Sequence, residues 1–275
     1  MHDLKRVLTA LFLFLLTPAV SAASPWMWSE GEMYYSGSLS YTTGDKNWNE
    51  NSNLVDSSCR SRNVNSHQLI EYGYSYYHTL IANLDIVSKD CGGDNYLGLG
   101  DLRLGIRGRL DPFRNGRTWE VTAIIPTGYS DTDPARPGNG KFGIEGGVAY
   151  LSRGEYRDSA KRWDYLTGAS LRFWVDGPAD QFIGYFTLRR YIGRHGYISA
   201  GVNAEISFQN EARLPKNLSD QTQLADFDKI TAKLNWSDRL SDEWRYSIGA
   251  SHVVWGRNAG HDLKIGITFS RHWRL

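Results

Sequence analysis

From Leu263 to Leu275 apolar and polar residues alternate one by one. Leu263, Ile265, Ile267, Phe269, Trp273 and Leu275 share one parity, broken only by Arg271; Lys264, Gly266, Thr268, Ser270, His272 and Arg274 share the other. Successive side chains of a β-strand point to opposite faces, so this run predicts a strand with one oily and one wet face. It is longer than a globular strand of about 5–6 residues. A run of about ten residues is what crosses a bilayer at a tilt.

Similar runs recur along the chain at about 32–41, 68–77, 80–86, 101–110, 119–125, 142–150, 163–173, 181–191, 198–208, 229–236 and 244–254. The run at 181–191 has no clear phase: Phe182, Phe186 and Leu188 oppose Tyr185 and Arg189. With the last run the prediction is twelve strands, an even number as in single-chain bacterial barrels. The connections sort into two kinds. Short turns fall near His78, Asn115, Tyr156, His195 and Arg239; polar loops fall at about 43–67, 88–97, 127–140, 175–180, 209–226 and 256–261. Trp119, Trp163, Phe173, Trp236, Trp244, Trp255 and Trp273 stand near strand ends, where interfacial girdles form. The expected fold class is all-β, an antiparallel transmembrane up-and-down barrel of about twelve strands, its last strand paired with the first at Glu32–Tyr41. A soluble β-sandwich, the competing architecture, would show shorter strands.

Bulk composition changes this picture little. Lys and Arg number 31 against 30 Asp and Glu, so nothing points to nucleic acid. The mean hydropathy of −0.46 suggests a soluble chain. In a barrel, however, lipid-facing and lumen-facing residues cancel in the average. The N-terminus reads as a secretory signal: Lys5 and Arg6, an apolar core from Val7 to Leu16, and small residues at Val20-Ser21-Ala22. Residues 1–22 are therefore expected to be a signal peptide and 23–275 the barrel, with Pro25-Trp26-Met27-Trp28 a short aromatic lead-in. The expected location is the outer membrane of a Gram-negative bacterium. The expected partners are outer-membrane lipid, the barrel-assembly machinery and a small-molecule solute.

The wet parity supplies the candidate chemistry. Arg103, Arg107, Arg109, Glu120, Glu145, Asp164, Arg172, Glu205, Lys229, Lys233, Arg245, Lys264 and Arg274 are expected to face the lumen, with bases in excess. Two uses are open: a lumen that passes or binds small polar or anionic solutes, or an ion-pair network that plugs a narrow barrel. Cys59 and Cys91, the two cysteines, fall on two predicted loops in an oxidising compartment, so a disulfide pinning those loops over the mouth is expected. No Cys/His metal spacing and no cofactor motif is present. A lipid-modifying outer-membrane enzyme would place His two residues before a Ser nucleophile; neither Ser66-His67 nor Ser251-His252 has that order. No enzyme activity is expected.

Three segments carry a resemblance: Leu97-Gly-Leu-Gly-Asp-Leu-Arg-Leu-Gly-Ile-Arg-Gly-Arg-Leu110, Ile124-Ile-Pro-Thr-Gly128 and Gly256-Arg-Asn-Ala-Gly260. From about residue 28 onward the chain resembles the outer-membrane barrel transporters of the meta-pathway of phenol degradation family. The resemblance implies a barrel that moves small, often hydrophobic or aromatic compounds. It implies no catalytic residues. The chain departs from the common outer-membrane pattern in ending on Leu275 rather than Phe. Arg271, on the oily parity near the chain end, is expected to reach the head groups beside Trp273 and to tolerate replacement by Leu.

Overall fold

The computed structural model describes residues 23–91, 94–111, 116–129, 138, 140–153, 163–175, 178–193, 195–208 and 226–275. The strands run in chain order: β1 (Glu32–Trp48), β2 (Leu54–Ser75), β3 (His78–Cys91), β4 (Asp94–Arg109), β5 (Arg117–Ile125), β6 (Gly143–Arg153), β7 (Trp163–Trp174), β8 (Gln181–Ile192), β9 (Gly196–Ser207), β10 (Asp228–Arg239), β11 (Trp244–Arg257), the two-residue β12 (Ala259–Gly260) and β13 (Leu263–Arg274). β1 to β11 and β13 are the twelve staves. Each pairs antiparallel with its chain neighbours, and β1 closes the sheet by pairing with both β2 and β13. The closing register runs from Glu32 opposite Arg274 to Thr43 opposite Leu263. Closure leaves no strand edge exposed within the apolar belt, as hydrocarbon surroundings require because nothing there can satisfy a free N–H or C=O.

The start of β1 and the end of β13 lie at one end of the barrel, where the Leu275 amide donates to the Gly31 carbonyl at 2.9 Å. We call this the turn end and the opposite one the loop end. The outward parity is apolar around the wall. Leu39, Ile70, Leu104, Val121, Ile144, Phe186, Val202 and Phe269 are all large, hydrophobic and exposed. A water-soluble protein rarely exposes so continuous an apolar surface; a bilayer core is the medium that suits it. The structure also resolves the ambiguous strand β8. Gln181 and Ile183 are buried inward while Phe182, Phe186 and Leu188 face out.

Two predicted loops are strands. The Asn/Ser-rich stretch 43–67 is the hairpin of β1 and β2, turning at Asn49–Ser52, where the Asn49 side-chain oxygen accepts the amides of Asn51 and Asn53. Most of the stretch 88–97 likewise belongs to β3 and β4. β2 has 22 residues against 9 in β5, so at about 3.3 Å per residue this side of the barrel rises far above the rest. Above the apolar belt both faces of a strand meet water, so the alternation that betrays a strand in the wall is lost. Cys59 and Cys91 are bridged within this raised sheet, between β2 and β3. The bond therefore ties two adjacent staves; it does not pin separate loops over the mouth. The predicted loops 127–140 and 209–226 lie largely outside the described residues, as do the proposed signal peptide and the turn near Tyr156.

Arg271 keeps the outward parity but is not alone there. Its Nε donates to Glu243 Oε2 at 2.8 Å, and its guanidinium lies over the rings of Trp244 and Trp273 at 5.6 and 5.3 Å. Both partners of the ion pair are well exposed, and such pairs contribute about 0–1 kcal/mol. Arg271→Leu should therefore shift the urea unfolding midpoint of the vesicle-inserted protein by no more than that range allows. A larger loss would mean that the pair anchors the closing seam.

Candidate functional site

The inward parity builds a polar lumen, and its centre is Arg107 on β4. Only 3% exposed, Arg107 divides its guanidinium among three partners. Nη2 donates to Glu71 Oε1 on β2 at 2.9 Å, Nε to Glu120 Oε2 on β5 at 2.9 Å, and Nη1 to the carbonyl of Trp26 at 2.8 Å. Thr122 Oγ1 donates to the other Glu120 oxygen at 3.3 Å. A buried charge is tolerated when its partners are this complete.

The Trp26 contact exposes the main departure from the sequence-based expectation. Residues 23–28, which include the predicted lead-in at 25–28, fold into the barrel and run along its inner wall. Tyr185 OH donates to the Ala23 carbonyl at 2.7 Å and Thr118 Oγ1 to the Ser24 carbonyl at 2.7 Å. The Ser24 amide donates to Glu120 at 3.3 Å, the Trp28 amide to Thr79 Oγ1 at 3.2 Å, and Trp28 Nε1 to Glu71. The Trp28 ring stacks between Tyr34 at 4.9 Å and His272 at 4.7 Å. Ala23 is 2% exposed. Gly73 is required here, because a Cβ at that position would collide with the Ser29 carbonyl.

Nearer the loop end lies a second network. Arg172 donates from Nε to Glu145 at 2.9 Å and from Nη1 to Gln181 at 3.0 Å, while Ser170 donates to Glu145 at 2.9 Å. Arg103 reaches the same carboxylate at 3.4 Å, so two guanidinium groups share one acid. Lys229 pairs with Glu205 at 3.2 Å. Lys233 and Lys264 share this face, each directly opposite Ser251 on β11, and among the described residues neither has a carboxylate within 4.0 Å. Arg257, at the loop end of β11, clamps Asp226 and Asp228 at 3.0 and 2.8 Å. Burial opposes ionisation of Asp226, but hydrogen bonds from Arg257 and Ser207 outweigh it and hold the carboxyl below the usual range.

Arg103, Arg107, Glu120, Glu145, Arg172, Glu205, Lys229, Lys233 and Lys264 thus share one continuous inner surface. Arg109 and Arg245 keep the inward parity but sit at the turn end: Arg109 stacks over Tyr76 at 4.4 Å, and Arg245 donates to the His195 carbonyl at 3.0 Å. The sequence-based reading missed Glu71, although it lies opposite the outward Ile70 and Tyr72. It also placed His67 on a loop; His67 is on β2, its Nδ1 at 2.9 Å from Asp85. Ser251 faces the lumen beside Lys264, whereas His252 pairs with outward Leu263, so the two do not converge on a catalytic pair. Among the described residues no cluster of His, Cys, Asp and Glu could hold a metal.

Between the N-terminal segment and the wall is a cavity of about 630 Å³ that reaches the turn-end rim at Asp242 and Glu243. Trp26, Trp28, Tyr185 and Tyr197 contribute rings to it, and Asn83 and Lys233 contribute polar groups. Arg189 on β8 packs over Trp26 at 5.4 Å and Tyr197 at 4.5 Å, so a cation and two rings line one side. This volume lies within the roughly 300–1,000 Å³ of small-molecule sites.

No family model and no curated protein matches the chain. Solved structures do. An outer membrane channel from Pseudomonas putida aligns over 93% of this chain and 100% of its own, with a TM-score of 0.74 at 13% identity. The Pseudomonas putida toluene transporter TodX aligns over 89% and 90%, with a TM-score of 0.51 at 9% identity. At these identities the likeness is one of fold, and this chain shares with them the closed antiparallel outer-membrane type of barrel.

Proposed function

We propose that this protein is an outer-membrane channel for small molecules, entered by export of residues 23–275 after removal of residues 1–22. The observation that carries the reading is the pairing of an apolar outer wall with a polar lumen that contains a cavity open to the turn end. An apolar girdle around a hydrated interior is the physical requirement for passive passage across a bilayer. The fold shared with a channel and with a toluene transporter supports it, and so does the resemblance to the phenol-degradation transporters. An amphipathic or aromatic solute suits the mixed lining better than a large hydrophilic one.

The N-terminal segment favours a second reading, a plugged barrel with a structural or envelope-assembly role, because it fills part of the lumen. Planar-bilayer recording separates the two. The intact protein should give small discrete steps, and a variant lacking residues 24–28 should conduct severalfold more, since the wall contacts of Arg107 with Glu71 and Glu120 remain. Silence from both proteins would overturn the channel reading and favour the structural role.

A further inference from the structure

We infer that the lumen cavity is a binding site for a small aromatic carboxylate, with Lys233 taking the anionic end and the rings of Trp26 and Tyr197 the apolar body. This rests on the channel reading and names a solute class for the same site. The first support is electrostatic. Each carboxylate lining the cavity already has an arginine: Glu71 has Arg107, Asp242 has Arg239, and Glu243 has Arg271. Three lining cations, Lys233, Arg189 and Arg245, have no carboxylate within 4.0 Å among the described residues. Arg245 stands at the rim and Lys233 deeper on β10, with Arg189 between them against Tyr197. An anion entering from the turn end meets a graded series of positive charge, and screening by water falls as the walls close in.

The second support is independent of charge. Asn83 on β3 is 4% exposed, lines the cavity, and its Oδ1 has no hydrogen-bond partner among the described residues. Buried side-chain amides are normally bonded. The orphaned oxygen is an acceptor and does not itself attract an anion, but the NH₂ of the same amide carries two donors into a cavity that Lys233 also lines. The third is shape and chemistry of the wall. A neutral hydrocarbon would leave Lys233 without a counter-charge, and a small inorganic anion would use none of the ring surface that lines the cavity. A ring bearing one carboxylate answers both.

Isothermal titration of the purified barrel in detergent at neutral pH tests this with benzoate, benzamide, acetate and toluene. Benzoate should bind at least about tenfold more tightly than the other three, the margin expected for a charge-assisted contact added to ring burial. Lys233→Gln should remove that margin, and Arg190→Gln, on the outer wall over Trp163, should leave it intact. Equal binding of benzoate and benzamide, or an unchanged margin in Lys233→Gln, would overturn the inference. The benzoate–benzamide comparison uses only the unaltered protein and so stands even if Lys233→Gln folds poorly. A barrel that conducts without preferring benzoate remains a channel and lacks this site. A barrel that prefers benzoate but passes no current has the site and is not a channel.

Discussion

Replacing Arg107 with Leu should destabilise the barrel by about 3–5 kcal/mol. The substitution keeps much of the side-chain volume but leaves Glu71 and Glu120, both almost fully buried, facing each other without their shared cation. The cost comes chiefly from the stranded carboxylates and only secondarily from the lost hydrogen bonds. The Trp26 carbonyl loses its guanidinium donor at the same time. Two readouts should therefore move together. The urea midpoint of the vesicle-inserted protein should fall, and residues 23–28 should become accessible to protease. The triple variant Arg107→Leu, Glu71→Gln, Glu120→Gln should recover most of the stability, because the buried charges go together. A single variant as stable as the parent would show that the cluster is water-filled and that its ion pairs carry no structural weight.

The second large effect lies on the opposite surface. Ile267→Arg should cost about 2–4 kcal/mol, the penalty for a guanidinium on the lipid face near mid-bilayer. Ile267 is near the middle of β13, between Leu39 on β1 and Ile248 on β11, all on the outward parity. Thr268→Arg, one residue on, points into the lumen beside the cavity and should cost far less. Unfolding titrations in lipid vesicles give both values. Equal costs at the two positions would sink the bilayer assignment, because only a wall with lipid on one side and water on the other makes neighbours differ so sharply.

The wall of the barrel was legible because alternation has a physical cause in every stave. Leu102, Leu104 and Ile106 against Arg103 and Arg107 say which side is wet before any partner is known. The same logic gave the closing pair of β1 and β13. It failed where its cause was missing. Above the apolar belt, stretches such as Val55–Val64 meet water on both faces, so polar residues form strands that look like loop. β8 failed differently: the inward positions of the lumen include Ile183 and Tyr185, apolar or aromatic themselves, which blurs the contrast with Phe182 and Phe186.

The candidate site divides along the same line. That Arg107 and Glu120 face inward follows from parity alone. That they meet each other follows from β4–β5 register, where they stand directly opposite. That Glu71 joins them from β2, and Trp26 from ahead of β1, follows from neither. Trp26 and Trp28 lie outside any repeat, and a run of aromatics ahead of the first strand has no periodic signature to betray where it packs.

The sequence by itself thus determined the class of fold, the two faces of most staves and most of the charged residues on the wet one, Glu71 excepted, because each depends only on neighbours two positions apart. The tertiary structure decided which of those charges pair, where the N-terminal segment lies and what lines the cavity beside it. Those depend on groups such as Ala23 and Tyr185, or Glu71 and Arg107, brought together from distant parts of the chain only when the barrel closes.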